Sequence, residues 1–578
     1  MVKKRLPYGI SDFVRLRRDD MYYVDKTMYL PLLEEENSYL SLLRPRRFGK
    51  SLLLSMMTAY YDVDMKDRFH DLFGDLWIGQ HPTPLANSYL VLRFDFSKVG
   101  GDSEDLESRF NDYCSRELDS YVRKYKKFYE EDVVQDVLLS KSAEDKLNTI
   151  TINSSRLELR LYLIIDEYDN FTNDVLAKRG KEAFRELTHA EGFYRRIFKL
   201  FKGPIERIFL TGISPVTLDD LTSGYNIDWD ISHLEEFNSL LGFEGREVRQ
   251  IIQHFKEHGA IKGEADSIIA DMKPWYDNYC FSHGIHGRET VYNSDMVLYY
   301  MRSMLRNGQP PVDMVDKNIK TDISKLKALV NLDRGIQRRE RESVIERIAT
   351  QGWIDMRLKT SFPAKDLLKP DNFQSLIYYY GMLSIGAPDR VLTRMVIPNE
   401  CVRQQYWSFL VAMFQDLHPF TINPLLEAYG PMICQGDWKM ALTIIGRMYK
   451  ELSALRDLIG GEYKVQGFCK ALLGVCDYAL LCPELELNYG YSDFVMIPLR
   501  SHFPEAIHAY VLEIKYVGTK ASDAEVKSAY ADAKKQIEDY CSDSRLLKAV
   551  AGCTLHGIAL IFKGHEMLDP QLILEKKI

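Results

Sequence analysis

The chain has 578 residues, of which 46% are apolar and 27% are charged. This composition excludes disordered and fibrous proteins, and the length predicts about three to four domains. The formal net charge of −8 excludes a globally basic body, so any contact with nucleic acid has to come from local basic patches.

The nine cysteines occur singly, without the paired spacing of a structural zinc site. We therefore expect reduced thiols in a cytoplasmic protein. The N-terminus carries basic residues but no apolar signal core, and no stretch approaches the roughly 18 apolar residues of a membrane span. Secretion and a membrane partner are not expected.

The first part of the chain, to about residue 240, alternates between short apolar runs and helical patterns. Apolar runs predict strands at 38–43, 89–96, 159–165 and 207–211. Amphipathic patterns predict helices at 103–125 and 181–201. This alternation is typical of an α/β domain with a parallel sheet.

A phosphate-binding motif follows the first predicted strand and precedes a helix-favouring stretch at 52–61. Gly49, Lys50 and Ser51 occupy the last three positions of the pattern G-x-x-x-x-G-K-[ST], in which Lys neutralises phosphate and Ser binds Mg²⁺. Arg44 stands where the pattern has its first glycine, and a side chain there restricts the tight turn. The strand–loop–helix setting nevertheless favours a P-loop over an ordinary helix start.

Two carboxylates end the strand predicted at 159–165. Asp166 is expected to hold Mg²⁺, and Glu167 to polarise the attacking water. Thr211 ends the next strand and has two interpretations: it senses the γ-phosphate, or it caps the following turn.

The loop residues Arg46 and Arg47 also have two interpretations of equal weight. They neutralise phosphate charge, either within one chain or as arginine fingers of a homo-oligomer, or they form surface salt bridges. The sequence thus predicts ATP and Mg²⁺ as cofactors. The predicted cofactor-binding residues are Arg46, Arg47, Phe48, Gly49, Lys50, Ser51, Asp166 and Thr211.

The middle of the chain is predicted to be helical. Periodic patterns lie at 244–257, 295–306 and 322–332. A helix at 373–380 is followed by apolar runs at 382–385 and 393–397, which indicates a winged helix or a generic hairpin. Further helices extend to about residue 458.

The last 120 or so residues return to an α/β pattern. Helices are expected at 462–476 and 523–541, strands at 493–498 and 509–515, and a final strand near 557–562. Asp493 precedes Glu513-Ile514-Lys515, and a metal-dependent nuclease needs two carboxylates and a lysine near adjacent strands. Strand alternation places Glu513 and Lys515 on one face. The competing interpretation is a solvated ion pair, but the apolar neighbours of Glu513 favour a site.

Several segments resemble bacterial AAA-ATPase-like proteins that carry a C-terminal PD-(D/E)XK nuclease domain. They are LPYGISDF (6–13), YYVDKT (22–27), LLRPRRFGKSLLL (42–54), LIIDEYD (163–169), FLTGISPVTLDDLTSG (209–224), WYDNYCF (275–281) and VYNS (291–294). The resemblance covers nearly the whole chain and includes Arg44, but departs from the family at Asn278 and Ser294. It implies Glu462 as a third metal ligand and Gln536 as a site-lining amide, while Tyr491 replaces a usual arginine.

The predicted fold is α/β: an N-terminal P-loop NTPase of the ASCE/AAA type at 1–240, a helical lid at 241–400, a helical connector at 401–458 and a PD-(D/E)XK domain at 459–578. The leading functional prediction is an ATP-regulated nuclease acting on DNA more than RNA. Its predicted catalytic residues are Glu167, Asp493, Glu513 and Lys515, and its metal ligands are Ser51, Asp166, Asp493, Glu513 and Glu462.

Two alternatives remain open on the sequence. The first is a nucleotide-switched signalling or scaffold ATPase, whose C-terminal domain binds a partner without cleaving nucleic acid. The second is a nuclease that holds ATP as a slowly hydrolysed structural ligand.

Overall fold

The protein divides into two compact units in the computed structural model. One comprises Met1–Gln309, Ser324–Arg338 and Asp355–Pro398, and the other comprises Pro310–Ile323, Arg339–Ile354 and Asn399–Ile578. The structure describes residues 4–99, 106–171, 175, 193–201, 204–215, 229–285, 288–316, 336–363, 366, 367, 369–388, 392–417, 419–453, 462–487 and 490–578. The four-part division of the sequence analysis stays a prediction.

A parallel sheet forms the centre of the first unit. Its strands are β1 Tyr39–Leu43, β2 Leu90–Asp95, β3 Leu161–Asp166, β4 Arg207–Gly212 and β5 Trp229–Asp230. Their order is β2-β3-β4-β1-β5, and every pairing is parallel. All residues of β1 and β3 are buried, as expected for apolar strands covered on both faces. The expected parallel P-loop NTPase sheet is confirmed.

Helices pack around this sheet. They are α1 Phe13–Arg18, α2 Tyr29–Glu35, α3 Lys50–Tyr61, α4 Phe69–Phe73, α5 Trp77–Gln80, α6 Leu106–Lys124, α7 Glu131–Leu139, α8 Ala143–Arg156 and α9 Phe193–Leu200. Short 3-10 helices lie at Val63–Arg68, Phe96–Lys98, Lys126–Phe128 and Glu235–Phe237. Of the helix predicted at 181–201, residues 181–192 lie outside the described residues.

The region after β5 is mainly helical, as predicted. Its helices are α10 Gly245–Glu257, α11 Ala265–Tyr276, α12 Ser294–Asn307, α13 Ile336–Gln351 and α14 Pro370–Tyr379. Strands β6 Trp353–Met356, β7 Ser384–Pro388 and β8 Thr393–Val396 form a small sheet in the order β6-β8-β7. The helix-plus-hairpin expected at 373–397 is present, and its assignment as a winged helix stays a prediction. The helix predicted at 322–332 lies outside the described residues.

The second unit combines helices with a six-stranded sheet. Its remaining helices are α15 Glu400–Leu417, α16 Asn423–Gln435, α17 Trp438–Ser453, α18 Glu462–Gly474, α19 Asp523–Tyr540 and α20 Ser544–Ala549. Its strands are β9 Ala479–Leu487, β10 Gly490–Pro498, β11 His508–Val517, β12 Thr554–Lys563, β13 Glu566–Met567 and β14 Gln571–Lys577. The order is β13-β12-β11-β10-β9, with β14 also paired to β12.

Two details of this sheet differ from the sequence prediction. The strand predicted near 557–562 is not the last one, because β13 and β14 follow it. The alternation of β14 is weak and most of its residues are exposed, so its sequence resembles a polar tail. Strand β9 was not predicted, since it contains Pro483, a residue that sheets tolerate mainly at an edge. In the observed order β9 is an edge strand.

Helix α19 covers one face of this sheet. Its buried residues Ala529, Ala533, Ile537 and Tyr540 recur every three or four positions, which produces a single apolar stripe. The stripe belongs to the same core as Val511 of β11. A capping box between Ser522 and Glu525 starts the helix.

Across the described ranges, no helix combines the length and the apolar character needed to cross a bilayer.

Candidate nucleotide and nuclease sites

The P-loop connects β1 to α3 and forms one wall of a cavity. Gly49 has φ +98° and is the N-cap of α3, a left-handed conformation that glycine adopts without strain. Arg47 also has a positive φ, of +69°. The cavity has a volume of about 620 Å³ and is lined by Arg46–Leu53 among other residues. The loop therefore borders a space of the size that small ligands occupy.

Arg44, at the first position of the motif, is a buried structural residue. Its guanidinium donates to the carbonyl oxygens of Leu43 (2.9 Å), Ser232 (2.7 Å) and Phe237 (2.9 Å). It also lies 4.2 Å from the centroid of the Phe281 ring. Burial lowers the pKa of Arg44 to about 10. Arg44 thus connects the start of the loop to the segment that follows β5, a function that glycine could not provide.

Lys50 lies in the cavity wall but is bonded to its own loop. Its ammonium donates to the carbonyl oxygens of Arg44 (2.8 Å) and Pro45 (3.0 Å). Burial lowers the pKa of Lys50, and the carboxylates of Glu167 and Asp166 oppose that shift. Ser51 follows it and also lines the cavity. The predicted phosphate-binding pair therefore lies at one cavity.

The side chains of Arg46, Arg47 and Phe48 have protein partners. Arg46 donates to the side-chain oxygen of Asn170 at 3.1 Å. Arg47 forms an ion pair with Asp295, at 2.8 Å between Nη1 and Oδ2. Phe48 is buried, with its ring edge-to-face on Tyr279 and Phe281. All three line the cavity, and the ring of Phe48 anchors the loop in an aromatic cluster.

The carboxylates after β3 face different surroundings. Asp166 is buried, and its Oδ1 accepts a hydrogen bond from the Thr211 hydroxyl at 2.9 Å. Glu167 has φ +48° and lines the cavity. Burial raises the pKa of Glu167, whereas Lys50 and Arg46 act in the opposite direction. The Thr211 hydroxyl contacts Asp166, a role distinct from both sequence interpretations.

Asp169 was not singled out from the sequence. Its carboxylate accepts from the backbone N–H groups of Ile213 (3.1 Å) and Ser214 (2.8 Å), which joins the loop after β3 to the loop after β4. A Cβ at Gly212 would lie 2.4 Å from the ring of Tyr168. This close approach of the two loops requires glycine at that position.

The other cavity walls come from residues to which the sequence analysis gave no role. They include Pro7, Ile10, Tyr22, Val24, Lys26, Leu241, Phe243, Asp295 and Leu298. Lys26 is buried and bonds to Glu247 at 2.8 Å and to the Ser239 carbonyl at 2.9 Å. The available sequence signal was the pair of segments at 6–13 and 22–27, which carry the family resemblance.

The second site lies where β10 and β11 pair. The strands are antiparallel with Phe494 opposite Leu512, so Asp493 and Glu513 are the next positions along each strand. Asp493 accepts from the Gln466 side chain and from the Ile514 N–H, both at 2.8 Å. Lys515 donates to Oε1 of Glu513 at 2.9 Å. The predicted Asp493, Glu513 and Lys515 are therefore together.

The carboxylate of Glu513 is only partly compensated. It is 2% exposed, and its Oε2 is buried without a hydrogen-bond partner. Burial and the charge of the neighbouring Asp493 raise the pKa of Glu513 to about 7, although Lys515 and the backbone N–H of Asp493 lower it. An uncompensated buried oxygen beside a second carboxylate fits a hard divalent cation, which prefers oxygen ligands.

The ligand set at this site contains two carboxylates. Where side chains are described, no group of three or more His, Cys, Asp or Glu residues is arranged to hold a metal ion. Glu462 begins α18, but its side chain lies outside the described residues. Gln466 is four positions later in the same helix, and this spacing places two residues on one helix face.

Helix α19 contributes two further polar groups. The predicted residue Gln536 has a buried Oε1 without a hydrogen-bond partner. Tyr540 hydrogen-bonds to Gln536, and its pKa is raised by burial and by the charges of Glu513 and Asp493. The sequence analysis missed Tyr540 and Gln466, although the spacing of four residues from Gln536 and from Glu462 was available as a signal.

Comparison with known proteins identifies the two regions. Residues 7–222 match a family described as "Predicted AAA-ATPase". Residues 460–569 match the PD-(D/E)XK nuclease superfamily. The chain therefore combines one region that matches AAA-ATPases with one that matches the PD-(D/E)XK nuclease superfamily. The AAA-ATPase-like region contains the P-loop and β1–β4, and the PD-(D/E)XK region contains the pair Asp493 and Glu513.

A curated relative of this chain is distant. A protein of Azotobacter chroococcum mcd 1, described as an uncharacterized protein in the vnfD 5' region, is 25% identical over 327 residues. The match covers 53% of this chain and 54% of that protein, so the chain spans about half the length of the curated relative it matches.

Two solved structures from Aeropyrum pernix are also similar. The ORC2 protein in its ADPNP-ADP complexes has 12% identity and a TM-score of 0.28, with 67% of this chain and 93% of that chain covered. The ORC1 protein in complex with DNA has 11% identity and a TM-score of 0.25, with 71% and 94% covered. Scores this low carry no argument about what this chain binds.

Proposed function

We propose that this protein binds and hydrolyses ATP and that its PD-(D/E)XK domain cleaves nucleic-acid phosphodiesters under nucleotide control. The observation that carries the nuclease proposal is the buried, unpartnered oxygen of Glu513 beside Asp493 and Lys515. The match of residues 7–222 to a predicted AAA-ATPase family supports the proposed ATP binding. The domain limits 1–240, 241–400, 401–458 and 459–578 belong to this proposal.

In the ATPase part of the proposal, Lys50, Ser51 and Glu167 line the cavity, and Asp166 is bonded to Thr211. Lys50 would exchange its loop carbonyls for phosphate oxygens, which are stronger partners for an ammonium. Ser51 and Asp166 would hold Mg²⁺, and the Thr211 hydroxyl would orient Asp166. Glu167 would take a proton from the attacking water, since a pKa raised by burial makes a carboxylate a better base.

In the nuclease half, Asp493 and Glu513 would hold Mg²⁺, with Glu462 as a third ligand and Gln466 orienting Asp493. The cation would supply electrostatic stabilisation of the charge that develops on the phosphodiester. Lys515 would orient the attacking water or neutralise that charge. Lys515 donates to Glu513 at 2.9 Å, and its ammonium has further N–H donors for a substrate.

The proposed substrate is DNA more than RNA, and the match to a nuclease superfamily supports a nucleic-acid substrate of either kind. Four exposed lysines on and before α19 can contact a phosphate backbone. They are Lys520, Lys527, Lys534 and Lys535. Exposed acidic residues lie among them, so this segment carries no net positive charge. A homo-oligomer that supplies an arginine finger is part of the same proposal, with Arg46 and Arg47 as donors.

The test is a cleavage panel on the full chain. Labelled single- and double-stranded DNA and RNA are incubated with Mg²⁺ or Mn²⁺, with and without ATP, while ATP hydrolysis is measured in parallel. The variants are Glu513→Gln, Lys515→Ala and Lys50→Ala. Matched controls are Glu538→Gln and Lys66→Ala, two exposed positions outside both sites.

The expected result is loss of cleavage in the Glu513 and Lys515 variants and a changed ATP response in the Lys50 variant. Removing one charged contact to phosphate should weaken ATP binding about 100-fold in Lys50→Ala. ATP hydrolysis without cleavage under any condition would reject the nuclease proposal and favour a signalling or scaffold ATPase. Cleavage that does not respond to Lys50→Ala would reject nucleotide control.

A further inference from the structure

An ion pair inside the nucleotide cavity joins the P-loop to α12. We propose that Asp295 is a specificity-determining residue, which competes with the phosphate chain for Arg47 and reduces the preference of the site for ATP over ADP. This inference rests on the proposed binding of nucleotide in this cavity.

The pair is placed to act on a ligand in the cavity. Nη1 of Arg47 and Oδ2 of Asp295 are 2.8 Å apart, and the two side chains are 24% and 22% exposed. Both residues line the same cavity as Lys50 and Ser51. Because the pair is partly buried, salt screens it less than a surface pair. A phosphate chain that enters this cavity meets both charges.

Two hydrogen bonds to the Arg47 carbonyl hold the two segments together independently of the Asp295 carboxylate. The carbonyl oxygen of Arg47 accepts from the Asp295 N–H at 3.3 Å and from the Ser294 hydroxyl at 3.2 Å. These bonds fix Arg47 in its left-handed conformation, with φ +69°. A substitution that removes only the charge of Asp295 therefore leaves the connection between the loop and α12 in place.

The local charges make Asp295 unusual in a phosphate site. Its carboxylate lies in the first turn of α12, where the peptide dipoles stabilise negative charge. A planar guanidinium binds either a carboxylate or a phosphate through parallel N–H groups. Arg47 therefore has two competing anionic partners when nucleotide is present. The carboxylate of Asp295 thus lies in the same cavity as the proposed position of the negatively charged phosphates.

This competition depends on the charge of the ligand. Coulomb repulsion scales with the product of the charges, and ATP carries more negative charge than ADP. Asp295 should therefore weaken ATP binding more than ADP binding. A purely structural pair, which only pins α12 to the loop, would affect both nucleotides equally. The ratio of the two affinities separates these roles.

The test measures ATP and ADP dissociation constants by titration calorimetry on the full chain in the presence of Mg²⁺. In Asp295→Asn, ATP affinity should rise about fivefold, the value of a pair worth about 1 kcal/mol, and ADP affinity should rise less. Asp295→Glu should restore the wild-type ratio. Ser294→Ala, which removes a neutral contact to the same carbonyl, should change both affinities by the same factor.

An unchanged ratio in Asp295→Asn, or weaker ATP binding, would overturn the inference. Asp295→Ser removes the same charge with a short polar side chain and replaces the Asn variant if that protein does not fold. The proposed nucleotide binding is rejected by a different result: either wild-type protein does not bind ATP, or Lys50→Ala does not weaken that binding. ATP binding with an unchanged ratio rejects only the role of Asp295.

Discussion

Asp166 and Glu513 are equally buried carboxylates in two different sheets, each 2% exposed. Asp166 receives the hydroxyl of Thr211 and lies 3.9 Å from the guanidinium of Arg93. Glu513 receives Lys515 on one oxygen and has no partner on the other. Two equally buried carboxylates therefore differ in how far their charge is compensated, because their hydrogen-bond and ion-pair partners differ. The first carboxylate is held by the protein, whereas the second still requires a proton or a cation.

The positively charged side chains of the two regions also differ in their partners. In the AAA-ATPase-like region, Arg44 and Lys50 are bonded to backbone carbonyls. In the PD-(D/E)XK region, Lys515 is bonded to a carboxylate that is itself a proposed ligand. The P-loop thus keeps its shape through its own backbone, whereas the candidate metal site depends on charge balance.

The largest expected effect is a loss of stability on substitution of Arg44, which is bonded to backbone carbonyls in the AAA-ATPase-like region. Arg44→Met should destabilise the protein by about 4 kcal/mol, because three buried carbonyl oxygens lose their donors. Arg44→Lys should restore only part of the loss, since an ammonium lacks the planar fork of a guanidinium. Chemical denaturation of the full chain measures the shift, with the exposed Arg18→Met as the control.

A different outcome would assign Arg44 to ligand binding. If Arg44→Met left the unfolding midpoint unchanged and weakened only ATP binding, Arg44 would be a phosphate contact, and the proposed contrast between the two regions would be wrong.

The second prediction concerns the charge balance around Glu513 in the PD-(D/E)XK region. The pKa of Glu513 is raised from its ordinary value of 4.5 to about 7. This shift changes the free energy of unfolding by on the order of 3 kcal/mol between low and high pH. Because the folded pKa is the higher one, this stability is fully present below pH 4.5 and is lost as the pH rises to 7. Glu513→Gln should therefore match wild type at pH 4.5 and be more stable at pH 8.

Denaturation midpoints of both proteins between pH 4.5 and 8, without divalent cations, check this dependence. Added Mg²⁺ should raise the midpoint of wild type at pH 8 but not that of Glu513→Gln. The matched control is Glu538→Gln, at an exposed position of α19. A constant difference between Glu513→Gln and wild type across this range would show that Glu513 is not electrostatically strained.

The sequence predicted the features that depend on neighbouring residues. The P-loop is eight consecutive residues between a strand and a helix, and the positions of Glu513 and Lys515 follow from the two-residue period of a strand. The limits of β1–β4 were close to those observed for the same reason. Buried apolar runs give a strong local signal.

Contacts between distant segments were not predictable in this way. The bond from Thr211 to Asp166 requires β4 to lie beside β3, and the bond from Gln466 to Asp493 requires α18 to pack near β10. The pair of Arg47 and Asp295 joins residues separated by 248 positions. Such contacts depend on the topology of the fold, which one sequence does not specify residue by residue.

The smallest expected effect is a change in the rate of ATP hydrolysis on substitution of Thr211. It distinguishes three roles for this residue: orienting Asp166, sensing the γ-phosphate and capping the following turn. If its hydroxyl orients Asp166, Thr211→Val should slow ATP hydrolysis about tenfold, the effect of losing roughly 1.4 kcal/mol in the transition state, with ATP affinity nearly unchanged. Thr211→Ser keeps the hydroxyl and should restore the rate. A sensor of the γ-phosphate would instead change the ratio of ATP to ADP affinity, and a turn cap would change only the unfolding midpoint. Steady-state hydrolysis, nucleotide titration and denaturation on the same three proteins distinguish these outcomes, because each role changes a different measurement.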